Sequence, residues 1–137
     1  MTTDAAVRMH GAGNTFLVRI DADADISCLA GEDGLLLVTT CEGDEADLAM
    51  RIINRDGSEA QQCGNGLRCI AMHAMHAGLV EGPVIRIATP LRICICRVLG
   101  EGRVETDLGV PKLGADSCGI DATLLGDLPP LHLVSMG

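Results

Sequence analysis

Aromatic side chains are almost missing from this sequence. Phe16 is the only one, and there is no Trp or Tyr. A core without rings has to be built from Leu, Ile, Val, Ala, Met and Cys. At 47% hydrophobic over 137 residues, the chain carries enough of them for one packed domain and too many for a disordered one. Positive charge is also scarce. Ten Lys and Arg face 19 Asp and Glu, a net charge of −9. Such a surface repels polyanions at long range, so neither nucleic acid nor an anionic membrane is expected as a partner. No apolar run approaches the roughly 20 residues that span a bilayer. The start, MTTDAAVRMHGAG, lacks the basic and apolar regions of a signal peptide. A cytoplasmic location is expected.

Cysteine, by contrast, is plentiful, with seven residues. The number is odd and no export signal is visible, which argues against a disulfide framework. Most of these thiols should be reduced and packed as small apolar groups.

Strand-like segments dominate. Asn14–Asp21 is an apolar run, Gly34–Thr40 reads as a short buried strand, and Asp47–Asn54 alternates with Leu48, Met50 and Ile52 on one face. Val84–Ala88, Leu91–Leu99 and Arg103–Leu108 follow, the last returning after a Gly-Glu-Gly turn, and Leu131–Met136 begins one more. One helix stands out over Asn65–Ala77, with Leu67, Ile70, Ala71, Ala74 and Met75 at helical spacing and Gly78 as its stop. The expected fold is α+β, one helix against a mostly antiparallel sheet. Ala22–Gly31 reads as a connection and Gly109–Pro130 as a looser joining segment.

Cys63 stands just ahead of that helix, in Gln-Gln-Cys-Gly-Asn-Gly. A helix start offers unpaired N–H groups and the positive end of the dipole, and glycines permit close approach of a ligand. Such a turn binds carboxylates and favours the thiolate of a nearby cysteine. A cysteine beside a Gly-rich turn is also simply a small residue that fits, and the local chemistry leaves both readings open. Cys69, inside the helix, reads as buried packing.

The stretch RIINRDGSEAQQCGNGLRC (Arg51–Cys69) closely resembles the first active-site motif of diaminopimelate epimerases. MHGAGNTF (Met9–Phe16), EDGLLLV (Glu32–Val38), EGRVETDLGVP (Glu101–Pro111) and VSMG (Val134–Gly137) follow in the family's order. The resemblance spans nearly the whole chain but only the first half of such an enzyme. It implies an isomerase of lysine and peptidoglycan biosynthesis that works without a cofactor. In that family two pseudo-symmetric α+β lobes each supply one cysteine to a cleft, and the resemblance implies interconversion of LL- and meso-diaminopimelate. The first cysteine maps onto Cys63, and substrate-contacting positions map onto Asn14, Asn54, Gly64 and Asn65. Residues 1–137 would then be one lobe, with 109–137 leading toward a second.

The sequence departs from the pattern in several places. The second cysteine motif is absent. Asp21–Gly31 is shorter than its counterpart, a Thr-Ala-Gly-like turn is reduced to Thr89-Pro90, and Thr15 replaces the Asp that usually follows Gly-Asn. One lobe of a two-thiol enzyme, inactive by itself, is the expectation. Two copies pairing as a homodimer to bring two Cys63 residues together is a geometric alternative. A non-catalytic carboxylate-binding or scaffold module is another, and a cysteine-rich metal or redox protein a third.

Other candidates carry less. Cys69, His73 and His76 share helical spacing that suits zinc, but no CxxC pair or fourth ligand accompanies them. Cys94 and Cys96 are read as thiols on opposite sides of a strand, which argues against a shared site. His10 is expected to order its loop. Gly11-Ala12-Gly13 lacks the third glycine of a dinucleotide fingerprint, and the acidic run Glu42–Asp47 reads as a solvated hairpin tip.

Overall fold

The computed structural model describes residues 6–136 except 127 and 130. Met1–Ala5 and Gly137, the last residue of the Val-Ser-Met-Gly stretch, therefore lie outside the described residues. Two compact units divide between Asp107 and Leu108.

The first unit holds an eight-stranded sheet and one helix. Its strands are β1 (Val7–Gly11), β2 (Asn14–Ile20), β3 (Gly34–Thr40), β4 (Leu48–Asn54), β5 (Glu59–Ala60), β6 (Val84–Ala88), β7 (Ile93–Gly100) and β8 (Arg103–Asp107). The order across the sheet is β1-β2-β3-β4-β6-β7-β8, with β5 paired to β4. Pairing is antiparallel except for β2 with β3 and β4 with β6. Helix α1 (Gly64–His76) packs against both edge strands, β1 and β8, and against β2, β3 and β7. A sheet whose two edges touch one helix has curled around it. The α+β expectation from the sequence describes this arrangement.

Period-two alternation explains the core. Phe16, Val18, Leu36, Val38, Leu48, Met50, Ile52, Ile85, Ile87, Cys94 and Cys96 are all buried, and the strand registers put them on one face of the sheet. From the helix, Leu67, Ile70, Ala71 and Ala74 meet them. Burying an aliphatic side chain of this kind is worth roughly 1.5–3 kcal/mol each, which lets a core nearly without rings hold together. Strand β3 is buried on both faces. Leu35 and Leu37 join Ile53 on the outer side, under Leu17, Ala22, Ile26 and Leu29. The 22–31 connection is thus a cover, and it contains a single 3₁₀ turn at Ile26–Cys28.

Several expectations change. The β1 strand is not visible in the sequence, because Val7–Gly11 is short and its residues are only half-buried or exposed. Met75 is exposed although Ala74 beside it is buried, so the apolar stripe of the helix ends at Ala74. Cys94 and Cys96 do not point to opposite sides. Residues two apart in a strand share a face, and both thiols are buried. It is Ile93 and Ile95 that face outward.

In the second unit, β9 (Lys112–Leu113) pairs antiparallel with β10 (Val134–Ser135). Two 3₁₀ turns, Asp116–Cys118 and Ala122–Leu125, lie between them. Val110, Leu113 and Leu124 are largely exposed, and among the described residues none of the buried hydrophobic ones lies beyond Cys96.

Candidate functional site

Helix α1 begins where its sequence can supply a cap. Cys63 is the N-cap, in extended conformation, and its Sγ accepts the Gly66 N–H at 3.4 Å. A sulfur stands where Ser, Thr or Asp usually satisfies an orphan donor of the first turn. The Cys63 carbonyl accepts the first helical bond, from Leu67 at 2.9 Å. Glycine at 66 leaves room that a side chain would crowd. A Cβ there would sit 3.1 Å from Leu36 Cδ2 and 3.7 Å from the Cys63 sulfur. Strand β3 therefore presses on the helix start without crowding the thiol. Cys63, Gly64 and Asn65 are half-buried, neither sealed in the core nor free on the surface.

A second segment reaches the same place. Ala12 and Gly13 both have positive φ (49° and 89°) and form a two-residue loop between β1 and β2. The loop brings Gly11 against Asn65, so closely that a Cβ on Gly11 would lie 2.9 Å from the Asn65 carbonyl oxygen. Asn14, opposite Gly11 in the ladder, then meets Asn65 directly. The Asn65 Nδ2 donates to Asn14 Oδ1 at 2.5 Å.

Two residues missed by sequence reasoning join them. Arg68 donates to Asn65 Oδ1. Asp33 accepts the Thr15 backbone N–H at 2.8 Å and the Thr15 hydroxyl at 3.2 Å, and takes Arg55 Nη2 at 3.3 Å. These bonds, the Thr15 N–H first among them, hold its carboxyl below the usual range. Asp33 was legible only as an acid opening the Asp-Gly-Leu-Leu-Leu-Val stretch. Arg68 has no distinguishing signal in its helical run.

Asn54 lies at the end of β4, opposite Gly34. Its amide donates to Ser58 Oγ at 3.0 Å, and its backbone N–H to the Ser58 carbonyl at 2.7 Å. The structure therefore brings Cys63, Gly64, Asn65 and Asn14 together. Asn54 stands next to the Asp33 end of this group with its side chain turned into its own turn.

The remaining cysteines differ in kind. Burial pushes the Cys69 thiol up to about 11, and raises Cys94 and Cys96 as well. His73 is lowered by burial and by His76 beside it. Among the described residues no three His, Cys, Asp or Glu side chains gather in a way that could hold a metal ion.

The diaminopimelate epimerase family profile matches residues 6–113, most of the chain. The chain belongs to the diaminopimelate epimerase family. A diaminopimelate epimerase of Azoarcus sp. (strain BH72) is 37% identical over 119 residues, covering 77% of this chain and 43% of the relative. The diaminopimelate epimerase of Neisseria meningitidis serogroup A is 33% identical over an alignment covering all of this chain and 58% of the relative. The chain thus spans about half the length of the curated diaminopimelate epimerases it matches. Among solved structures, a hydroxyproline epimerase from Agrobacterium vitis superposes with a TM-score of 0.65 at 14% identity, covering 79% of this chain and 42% of that one. A Bacillus anthracis phenazine biosynthesis protein of the PhzF family gives 0.64 at 20%, covering 100% and 54%. These two establish a shared fold.

Proposed function

We propose that this chain is one lobe of a cofactor-independent amino-acid epimerase acting on diaminopimelate, with Cys63 as one of its two acid/base thiols. The observation that carries the reading is the helix start: a half-buried thiol capping α1, with Gly64, Asn65 and Asn14 around it. First-turn N–H groups and amide donors at that position suit a substrate carboxylate. Binding the carboxylate there would set the α-carbon near the sulfur. An α-proton of an amino acid is very weakly acidic, and inversion requires one group on each face. A thiolate removes the proton from one side while a neutral thiol supplies another from the opposite side.

One lobe offers one such sulfur. The partner thiol would come from a second lobe following residues 108–137 or from another molecule, and the isolated chain should not turn over. The test is reconstitution in D₂O with LL-diaminopimelate, using the C-terminal half of the Azoarcus relative as the complementing partner. Deuterium should enter the α-carbon only in the mixture, and Cys63→Ser, whose hydroxyl still caps the helix, should abolish it. Exchange by the unmixed chain would contradict the two-thiol account.

A further inference from the structure

Two amide side chains that bridge separate segments can be joined either way round. Reversing both leaves the heavy-atom shape unchanged and swaps every donor for an acceptor. Asn14 and Asn65 are such a pair, and the rest of Asn65 is held in place. Strand β1 lies against it so closely that a Cβ on Gly11 would sit 2.9 Å from its carbonyl oxygen and 3.4 Å from its own Cβ. What breaks the tie is Arg68, three residues further along α1 and therefore its neighbour on the helix surface. A guanidinium has five N–H donors, no acceptor and no accessible neutral form. The Asn65 atom that meets it must be Oδ1. The Asn65 NH₂ is then turned to the opposite side, where it donates to Asn14 Oδ1 at 2.5 Å. The Asn14 NH₂ in turn points away from Asn65. Both amide oxygens carry a donor, and the groups left over are N–H. Arg68 is half-buried and lines a cavity of about 250 Å³ with Met9, Met72 and Val104, so water competes for its charge less than on an open surface.

We propose that Arg68 is a positioning residue. It sets the polarity of the Asn65–Asn14 pair, so that N–H groups rather than carbonyl oxygens remain for a carboxylate ligand beside Cys63. That ligand rests on the function proposed above; the amide polarity does not. Amide oxygens facing a carboxylate would repel it, whereas N–H groups add to the donors of the helix start. Arg68→Met keeps an unbranched stem of good helix propensity and removes the donor. The two amide arrangements then become close in energy. Arg68→Lys restores a cationic donor on a flexible stem.

Side-chain amide NMR of the unliganded full chain reads the polarity directly, as the coupling across a hydrogen bond from donor nitrogen to acceptor carbonyl carbon. In the wild type it should run from the Asn65 amide nitrogen to the Asn14 side-chain carbonyl carbon. Arg68→Met should weaken that coupling or make it appear in both directions, and the bonded Asn65 proton should exchange several-fold faster. Arg68→Lys should restore the wild-type pattern. Ligand binding is read as the LL-diaminopimelate concentration that half-protects Cys63 from alkylation. It should rise roughly tenfold in Arg68→Met, about the loss of one hydrogen bond to a charged group, and stay within about threefold of wild type in Arg68→Lys. A wild-type coupling in the opposite direction would overturn the proposal, and that measurement needs no variant. So would an unchanged coupling in folded Arg68→Met, even with weaker binding, because Arg68 would then act through its charge alone. Wild-type chain that shows the expected coupling yet gains no protection of Cys63 would leave the polarity standing and defeat the functional reading instead.

Discussion

The seven cysteines are chemically unequal, and their inequality follows from place. Cys69, Cys94 and Cys96 are buried, with thiols pushed above the ordinary range, while Cys28 is exposed and Cys41, Cys63 and Cys118 are half-buried. Thiolate is the reactive form, so both access and ionisation protect the buried three. Iodoacetamide at pH 8 should modify Cys28, Cys41, Cys63 and Cys118 in the native chain, and Cys69, Cys94 and Cys96 only after unfolding. Rapid native labelling of Cys96 would mean that the sheet is more open than described. Sequence reasoning separated Cys63 from Cys69 correctly as to place, because a Gly-flanked position before a helix and a position on its apolar stripe have different neighbours. Asp33 and Arg68 were not legible as site residues. Their part depends on contacts between segments 14–15, 33 and 65, which no local pattern encodes.

At the scale of elements, the candidate site is a meeting of a hairpin with a helix start. Gly11 permits the approach. A methyl group there would fall 2.9 Å from the Asn65 carbonyl oxygen, a backbone atom that cannot swing away. Gly11→Ala should therefore destabilise the fold by about 1–3 kcal/mol, the usual range for overpacking. It should also separate Asn14 from Asn65, and both effects can be read from urea unfolding and from the Asn65 amide signals. A variant as stable as the parent would show that the hairpin does not press on the helix. The helix itself was readable within a residue at each end, because its stripe, its capping turn and Gly78 agree. So were β3 and β6, whose β-branched and Leu-rich runs leave no other period. The β1 strand escaped because its hydrophobic residues are two, Val7 and Met9, and its partner β2 supplies the rest. Two parallel pairings, β2 with β3 and β4 with β6, were also beyond sequence reasoning, since the order of strands in a sheet is a tertiary fact.

For the whole molecule, acid is the revealing stress. Asp25, Glu32, Asp33, Asp47, Asp56, Glu59 and Asp121 are all held below the usual carboxylate range, Asp47 by Arg86, Glu59 by Arg51 and Glu32 first by the Ala30 N–H. A folded-state pKa below the unfolded one gives stability that is full above the unfolded value, about 4, and is lost as pH falls through the folded value. His73 acts in the same direction. Its folded pKa is depressed, so protons favour the unfolded chain as pH drops below about 6.5. The urea midpoint should fall steeply below about pH 4, and a midpoint that rises there would contradict the hydrogen-bonding described.

The central claim is that Cys63 lies beside the place where a diaminopimelate carboxylate binds. It is tested most directly by alkylating the chain with and without LL-diaminopimelate and following each cysteine by peptide mass spectrometry. Cys63 should be protected by the amino acid while Cys28 and Cys118 react at unchanged rates; equal labelling of Cys63 at saturating ligand would contradict the account.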